Sequence, residues 1–247
     1  MYEQKLDNPV TPYGKAGQSK KSEVTEMFDN IAPRYDLLNR ALTFRLDVGW
    51  RRKAVRMLRP YQPKTVVDIA TGTADFAIEA RSLHPERIIG IDISAEMLRI
   101  GREKIAARSL GGLIELRQGD SEALDLPDGS ADAVTVGFGV RNFENLDLGL
   151  REICRILRPG GALAVLEPSF PVGFPARQLF QLYFGVVTPF IGKLVSGDSS
   201  AYRYLPASVQ AFPHGEAFLE RCRQAGFRKG QFLSLGFGAC ALYLLEK

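Results

Sequence analysis

Two short apolar runs, each closing on a carboxylate, do most to restrict the fold. Residues 65–75 read TVVDIATGTAD and residues 87–93 read RIIGIDI. Asp68 closes the first run, a tight turn follows with Gly72 and Thr73, and Asp92 closes the second run. The spacing predicts a strand, a loop, a short helix and a strand tipped by an acid. That unit opens a doubly wound sheet, which grips an adenosine-containing ligand at the carboxyl ends of its strands. An ionised Asp92 suits a ribose, because a carboxylate accepts hydrogen bonds from both hydroxyls. A nicotinamide-dependent reductase is still accommodated by this unit alone.

The alternation continues downstream. A helix is predicted over 75–83, and Ser94 is placed to cap another over 95–108. Strands follow at 113–118, 132–138 and 162–167, with a helix over 146–157 between the last two. Such an order implies a mostly parallel sheet with right-handed crossovers. The last two strands, 231–235 and 239–245, are separated by only Gly236-Phe237-Gly238. A parallel crossover needs a dozen or more residues, so these two must form an antiparallel hairpin. A parallel sheet ending in such a hairpin resembles the class I methyltransferases and is unusual among nicotinamide-binding domains. The closing segments of two other strands point the same way. Asp120-Ser121 can accept from an adenine amine, and Phe138 to Asn142 lie where a methyl donor's sulfonium would sit.

Upstream, residues 1–21 are polar with Pro and Gly and are expected to be a flexible lead-in lacking a signal peptide's basic-then-apolar order. Residues 22–60 are expected to form a helical lid, with Ser22 capping a helix to Phe28 and a second amphipathic stretch reaching Leu58. The methyltransferase-like domain then occupies 61–247, interrupted by a cap at about 168–213. The cap carries Phe170, Phe174, Phe180, Tyr183, Phe184 and Phe190, with few charges. Pro175 and Pro189 bracket too few residues for a bilayer span. Two expectations stay open for it: a buried cap helix, or an apolar wall for a hydrophobic substrate that touches a membrane surface.

Charge and cysteine usage narrow the function class. A net charge of +4 without a basic stripe of interleaved aromatics disfavours nucleic acid. Three scattered cysteines, Cys154, Cys222 and Cys240, argue for a reducing compartment and against a disulfide framework or zinc site, while a lead-in lacking a signal peptide's order is expected of a cytoplasmic chain. His84 precedes Pro85, where a helix C-cap is expected rather than a metal ligand.

Several longer motifs resemble the ubiquinone/menaquinone biosynthesis C-methyltransferase family. They are YDLLNRALTFRLDVGW (Tyr35–Trp50), GFGVRN (Gly137–Asn142), RILRPGGALAVLEPS (Arg155–Ser169) and YRYLPASV (Tyr202–Val209). The sequence departs from the family pattern at three positions. Asp47 stands where His is frequent, Gly137 where some members have Ser, and Ala74 where the turn has glycine. The resemblance implies S-adenosylmethionine as methyl donor, no metal, and a polyprenylated quinol as acceptor. Demethylmenaquinol is the preferred acceptor and the benzoquinol of the ubiquinone route the alternative. Thr73 is expected at the methionine portion, Asp92 at the ribose, Asp120 and Ser121 at the adenine, Gly72 in the turn, and Tyr35 in a lid over the cofactor. Arg141 and Asn142 are the catalytic candidates: a cation to stabilise a phenolate and an amide to orient a hydroxyl or water. Pairing of Arg141 with Glu167 is the competing expectation. A methyltransferase for a soluble molecule and a non-catalytic quinone-binding module stay open, as do a homodimer and a peripheral contact with the inner face of the cell membrane.

Overall fold

The computed structural model describes residues 10–171, 178 and 199–247, with side chains from Tyr204 onward in the last segment. Seven strands form one sheet in the order β3-β2-β1-β4-β5-β7-β6. They are β1 (Thr65–Ile69), β2 (Arg87–Asp92), β3 (Ile114–Gln118), β4 (Ala131–Gly137), β5 (Leu157–Pro168), β6 (Lys229–Leu235) and β7 (Cys240–Glu246). The first five pair in parallel, and β7 runs antiparallel to both β5 and β6. The predicted hairpin is therefore present. Strand order reverses between β1 and β4, which opens a crevice at the carboxyl ends of those strands.

Seven helices cover the sheet among the described residues: α1 (Lys20–Thr43), α2 (Leu46–Leu58), α3 (Asp75–Ala80), α4 (Ala95–Ala106), α5 (Leu146–Ile156), α6 (Ser199–Ala211) and α7 (Glu216–Gln224). One face packs α5 and α7 through Leu150, Ile153, Phe218 and Cys222 onto Val134, Val136, Leu163 and Val165. The other packs α2 and α3 through Ala54, Val55, Leu58, Phe76 and Ala77 onto Val66, Ala133, Ala164 and Leu242. Strands buried on both faces read as unbroken apolar runs, which is why Val66 to Ile69 was legible as a strand. Ser94 caps α4, accepting from the Met97 amide at 3.1 Å, and His84 closes a short 3-10 turn in the left-handed region, both as expected.

The N-terminal region departs from expectation. Ser19, not Ser22, caps α1, and the helix runs unbroken through Pro33. Proline removes one intrahelical bond, but side-chain anchors hold the helix on both sides of it. Asp29 accepts from the Ser94 hydroxyl at 2.5 Å and Asp36 from the Thr73 hydroxyl at 2.6 Å. The break falls instead at Phe44 and Arg45, both left-handed (φ 50° and 63°). Nor is all of 1–21 a loose lead-in: the amides of Tyr13, Gly14 and Lys15 donate to the buried Glu23 carboxylate at 2.6–2.9 Å. Val24 and Met27 of α1 share a small separate core with Tyr204 of α6. Of the aromatic cap, Phe170 and helix α6 are described; Phe174, Phe180, Tyr183, Phe184 and Phe190 lie outside the described residues.

Candidate cofactor and acceptor site

The β1/β4 crevice, roofed by α1, encloses about 690 Å³ of space including its open mouth. Gly72, Asp92, Asp120, Ser121, Tyr35 and Asn142 all line it. Six of the eight residues singled out from the sequence thus converge on one cavity.

Asp92 sits at the tip of β2, partly buried. Its Oδ2 accepts from the Gly72 amide at 2.7 Å and its Oδ1 from the Ser94 amide at 2.9 Å. Each carboxylate oxygen has acceptor capacity left after one such bond, so the group fits a pair of ribose hydroxyls. Burial, aided by the nearby Asp29 charge, pushes its pKa up to about 6. The turn before it is braced by Asp68, which is fully buried. Asp68 accepts from the Thr71 and Thr135 hydroxyls at 2.5 and 2.6 Å and from the Ala77 amide at 3.1 Å. It supports the loop and does not line the cavity, and burial lifts its pKa to about 6 as well.

The turn itself is more strained than its single glycine suggests. Ala70, Gly72 and Ala74 all occupy the left-handed region (φ 52°, 56° and 66°). Two alanines thus share with Gly72 a conformation that favours glycine. Close packing demands glycine elsewhere. A Cβ on Gly139 would stand 2.5 Å from the Ala70 Cβ, and one on Gly137 2.9 Å from Phe76 Cδ1.

Thr73 is placed differently from its expectation at the methionine portion. It is 2 % exposed and absent from the cavity lining. Its hydroxyl donates to Asp36 and accepts from Lys104 Nζ at 3.0 Å. Lys104 also reaches Asp36 at 2.8 Å and Asp75, which in turn faces Arg51 of α2 at 3.4 Å. This network ties lid, turn and α4 together. Burial pushes the Asp36 carboxyl up, but the hydrogen bonds from Lys104 and Thr73 outweigh it and hold the group below its usual range. Asp47, at the position where His is frequent, is 2 % exposed and bonded to Arg51 at 2.6 Å, a structural post.

Beyond β3, Asp120 Oδ2 accepts from Lys21 Nζ of α1 at 2.6 Å. Tyr35 stands over Gly72, with Cε1 3.9 Å from where a Cβ would be. Burial raises the Tyr35 pKa, so the phenol remains a neutral donor.

Arg141 and Asn142 fall in a 3-10 turn after β4, Val140–Asn142. Arg141 lies behind the cavity lining, donating to Glu167 Oε2 at 3.0 Å and to the Phe138 carbonyl. The expected pairing with Glu167 thus exists, and that carboxylate is fully buried. Arg141 Nε is buried with no hydrogen-bond partner among the described residues. Such a donor usually has a ligand or water to serve. Asn142 Oδ1 accepts from the Tyr204 hydroxyl at 3.1 Å, and burial pushes that phenol's pKa up to about 12. Lys20 Nζ donates to the carbonyls of Arg141 and Phe143, both at 2.9 Å. Burial and the Arg141 charge bring the Lys20 pKa down to about 8. Lys20, Lys21, Asp36 and Lys104 carry no mark in the sequence, because groups that meet across 29 to 123 positions leave no local spacing signal.

A methyl donor needs a ribose acceptor, a close-packed glycine-bearing turn and an adenine end, and no redox group. Sheet order, the C-terminal hairpin and this crevice define an S-adenosylmethionine-dependent methyltransferase. A methyltransferase of that kind from Thermotoga maritima superposes with a TM-score of 0.63 at 22 % identity, covering 90 % of this chain and 99 % of that one; the likeness speaks for the fold. The chain belongs to the ubiE/COQ5 methyltransferase family, whose profile matches residues 16–247. It is 46 % identical over 239 residues to a demethylmenaquinone methyltransferase of Bacteroides fragilis, covering 96 % of this chain and 97 % of that protein. A protein of the same name from Deinococcus radiodurans is 45 % identical over 231 residues, 93 % of this chain and 95 % of that one.

Proposed function

We propose that the chain methylates a ring carbon of a polyprenylated quinol, demethylmenaquinol, using S-adenosylmethionine. The similarity to proteins named for that activity, over nearly the whole of both chains, carries the reading. The donor supplies a methyl group on an already activated sulfonium, so the protein's task is orientation and control of a proton. Asp92 holds the ribose, Asp120 and Ser121 the adenine end, and Gly72 lets backbone approach. Tyr35 and the α1 roof exclude water. Thr73 belongs to the brace of that roof.

A ring carbon attacks well only when an adjacent hydroxyl has given up its proton, and a phenol at about pKa 10 needs help to do so. Arg141 supports this in a specific way. Its charge is held in place by Glu167, and from behind the lining the guanidinium favours a phenolate in the crevice through its field rather than by direct contact. Asn142, oriented by Tyr204, lines the cavity and positions the second partner. Because an isoprenoid tail keeps the acceptor in a bilayer, the reading includes a transient contact with a membrane surface. Among the described residues no helix is long and apolar enough to cross a membrane.

Arg141→Ala is expected to keep donor affinity and lose most turnover. It also strands the buried Glu167 carboxylate, so Arg141→Met with Glu167→Gln serves as the folded control and must be equally inactive. Undiminished turnover in that double variant discards the role.

A further inference from the structure

Helix α1 turns Tyr35 toward the cofactor crevice and shows solvent a different face. Leu37 is 62 % exposed and Phe44 73 % exposed, with Arg40 exposed between them. The corner into α2 adds exposed Arg45 and Leu46, the latter 51 % exposed. Between positions 33 and 46 the sole acid is Asp36, which is engaged inward by Lys104 and Thr73. The outward face is therefore apolar and cationic, with no carboxylate from its own stretch.

A second element continues this face. Leu46 precedes Trp50 by one helical turn and shares its side of α2. The Trp50 ring packs on Gly236 at the β6–β7 turn, where a Cβ would stand 2.8 Å from Cζ2. The next residue, Phe237, is 94 % exposed and held at φ 56°, a region that disfavours any residue but glycine. An aromatic that is exposed and backbone-strained together gains nothing from the protein's own core. Trp50 also meets Phe138, a cavity-lining residue, with ring centroids 6.3 Å apart. The face thus adjoins the β4 side of the crevice.

We propose that the α1–α2 corner and the β6–β7 turn form one interfacial surface that seats on an anionic lipid bilayer. Arg40 and Arg45 meet the headgroup charge, and Leu37, Leu46 and Phe237 enter the acyl boundary. A lipid-tailed ring then passes toward the crevice beside Phe138 with its tail still in the bilayer. This assignment rests on the quinol reading for its purpose, and its location stands on the exposures alone.

The test is sedimentation of the full chain with vesicles of phosphatidylcholine alone or mixed equally with phosphatidylglycerol. Wild type is expected to sediment with the mixed vesicles only. Arg45→Glu combined with Leu46→Ser and Phe237→Ser is expected to lower that partition about tenfold or more, as loss of one basic and two apolar anchors should. Its donor affinity and its turnover of a tail-free, water-soluble naphthoquinol should not change. Equal sedimentation of the variant overturns this placement of the contact. Failure of wild type to sediment, or loss of self-association in the variant by analytical ultracentrifugation without any vesicle binding, overturns the lipid assignment. Vesicle binding as expected, with no turnover of any quinol, leaves the surface standing and removes the quinol reading instead.

Discussion

Lys104 is the joint through which the lid, the cofactor turn and α4 are held, and its removal has a calculable effect. The side chain is 13 % exposed, and its ammonium contacts Asp36 of α1 and Asp75 of α3, which are 24 % and 27 % exposed. Lys104→Met keeps the aliphatic stem and deletes the charge. Two unit charges at about 4 Å attract by roughly 4 kcal/mol at an effective dielectric near 20. Partial water access at both carboxylates and the remaining Arg51 near Asp75 reduce the net loss. We expect destabilisation of about 2 kcal/mol, below the roughly 3–5 kcal/mol of a fully buried broken pair. In urea unfolding, that lowers the midpoint by on the order of 1 M. Asp36 adjoins Tyr35 on the helix that roofs the crevice, so the KM for S-adenosylmethionine should rise several-fold while kcat changes less. Adding Asp36→Asn to Lys104→Met removes one stranded charge and should restore part of both losses. An unchanged midpoint and an unchanged KM would refute the bracing role.

Other perturbations probe separate parts of the site. Asp92 binds its proton more tightly in the fold than in the unfolded chain, since burial lifts its pKa to about 6. Ribose hydroxyls donate to the ionised form, so donor affinity should fall as pH drops through about 6, and calorimetric titration from pH 5 to 8 reads this. The same shift makes ionised Asp92 and Asp68 oppose folding. Their contribution to stability is greatest below the unfolded value of about 3.9 and is lost as pH rises through about 6. An apoprotein whose stability shows no such decline, net of other groups, would contradict it. Gly139→Ala drives a methyl to 2.5 Å from Ala70 and should cost about 1–3 kcal/mol by thermal or urea unfolding.

Much of this architecture was legible because it rests on local signals. The β1–β2 unit announced itself through apolar runs ending in Asp68 and Asp92, the hairpin through a three-residue connection, and α4 through Ser94. The site residues at strand ends followed from that frame, and six of eight reached the cavity. Thr73 did not, because a hydroxyl beside a glycine turn has no sequence mark saying which neighbour claims it; Asp36 and Lys104 claimed it from 37 and 31 positions away. The continuity of α1 through Pro33 was hidden for a similar reason, since local propensity opposed it and distant anchors at Asp29 and Asp36 decided it. Nor could the strain at Ala70 and Ala74 be read from two ordinary alanines.

Transfer of label from donor to quinol tests the proposed methylation. The chain would be incubated with methyl-labelled S-adenosylmethionine and, in separate reactions, demethylmenaquinol or the benzoquinol precursor in mixed micelles, and the lipid phase counted. Label is expected in the lipid phase with demethylmenaquinol, dependent on Asp92 and Arg141. Donor binding without label in either lipid would contradict it, and label with the benzoquinol alone would move the acceptor to the other quinone route.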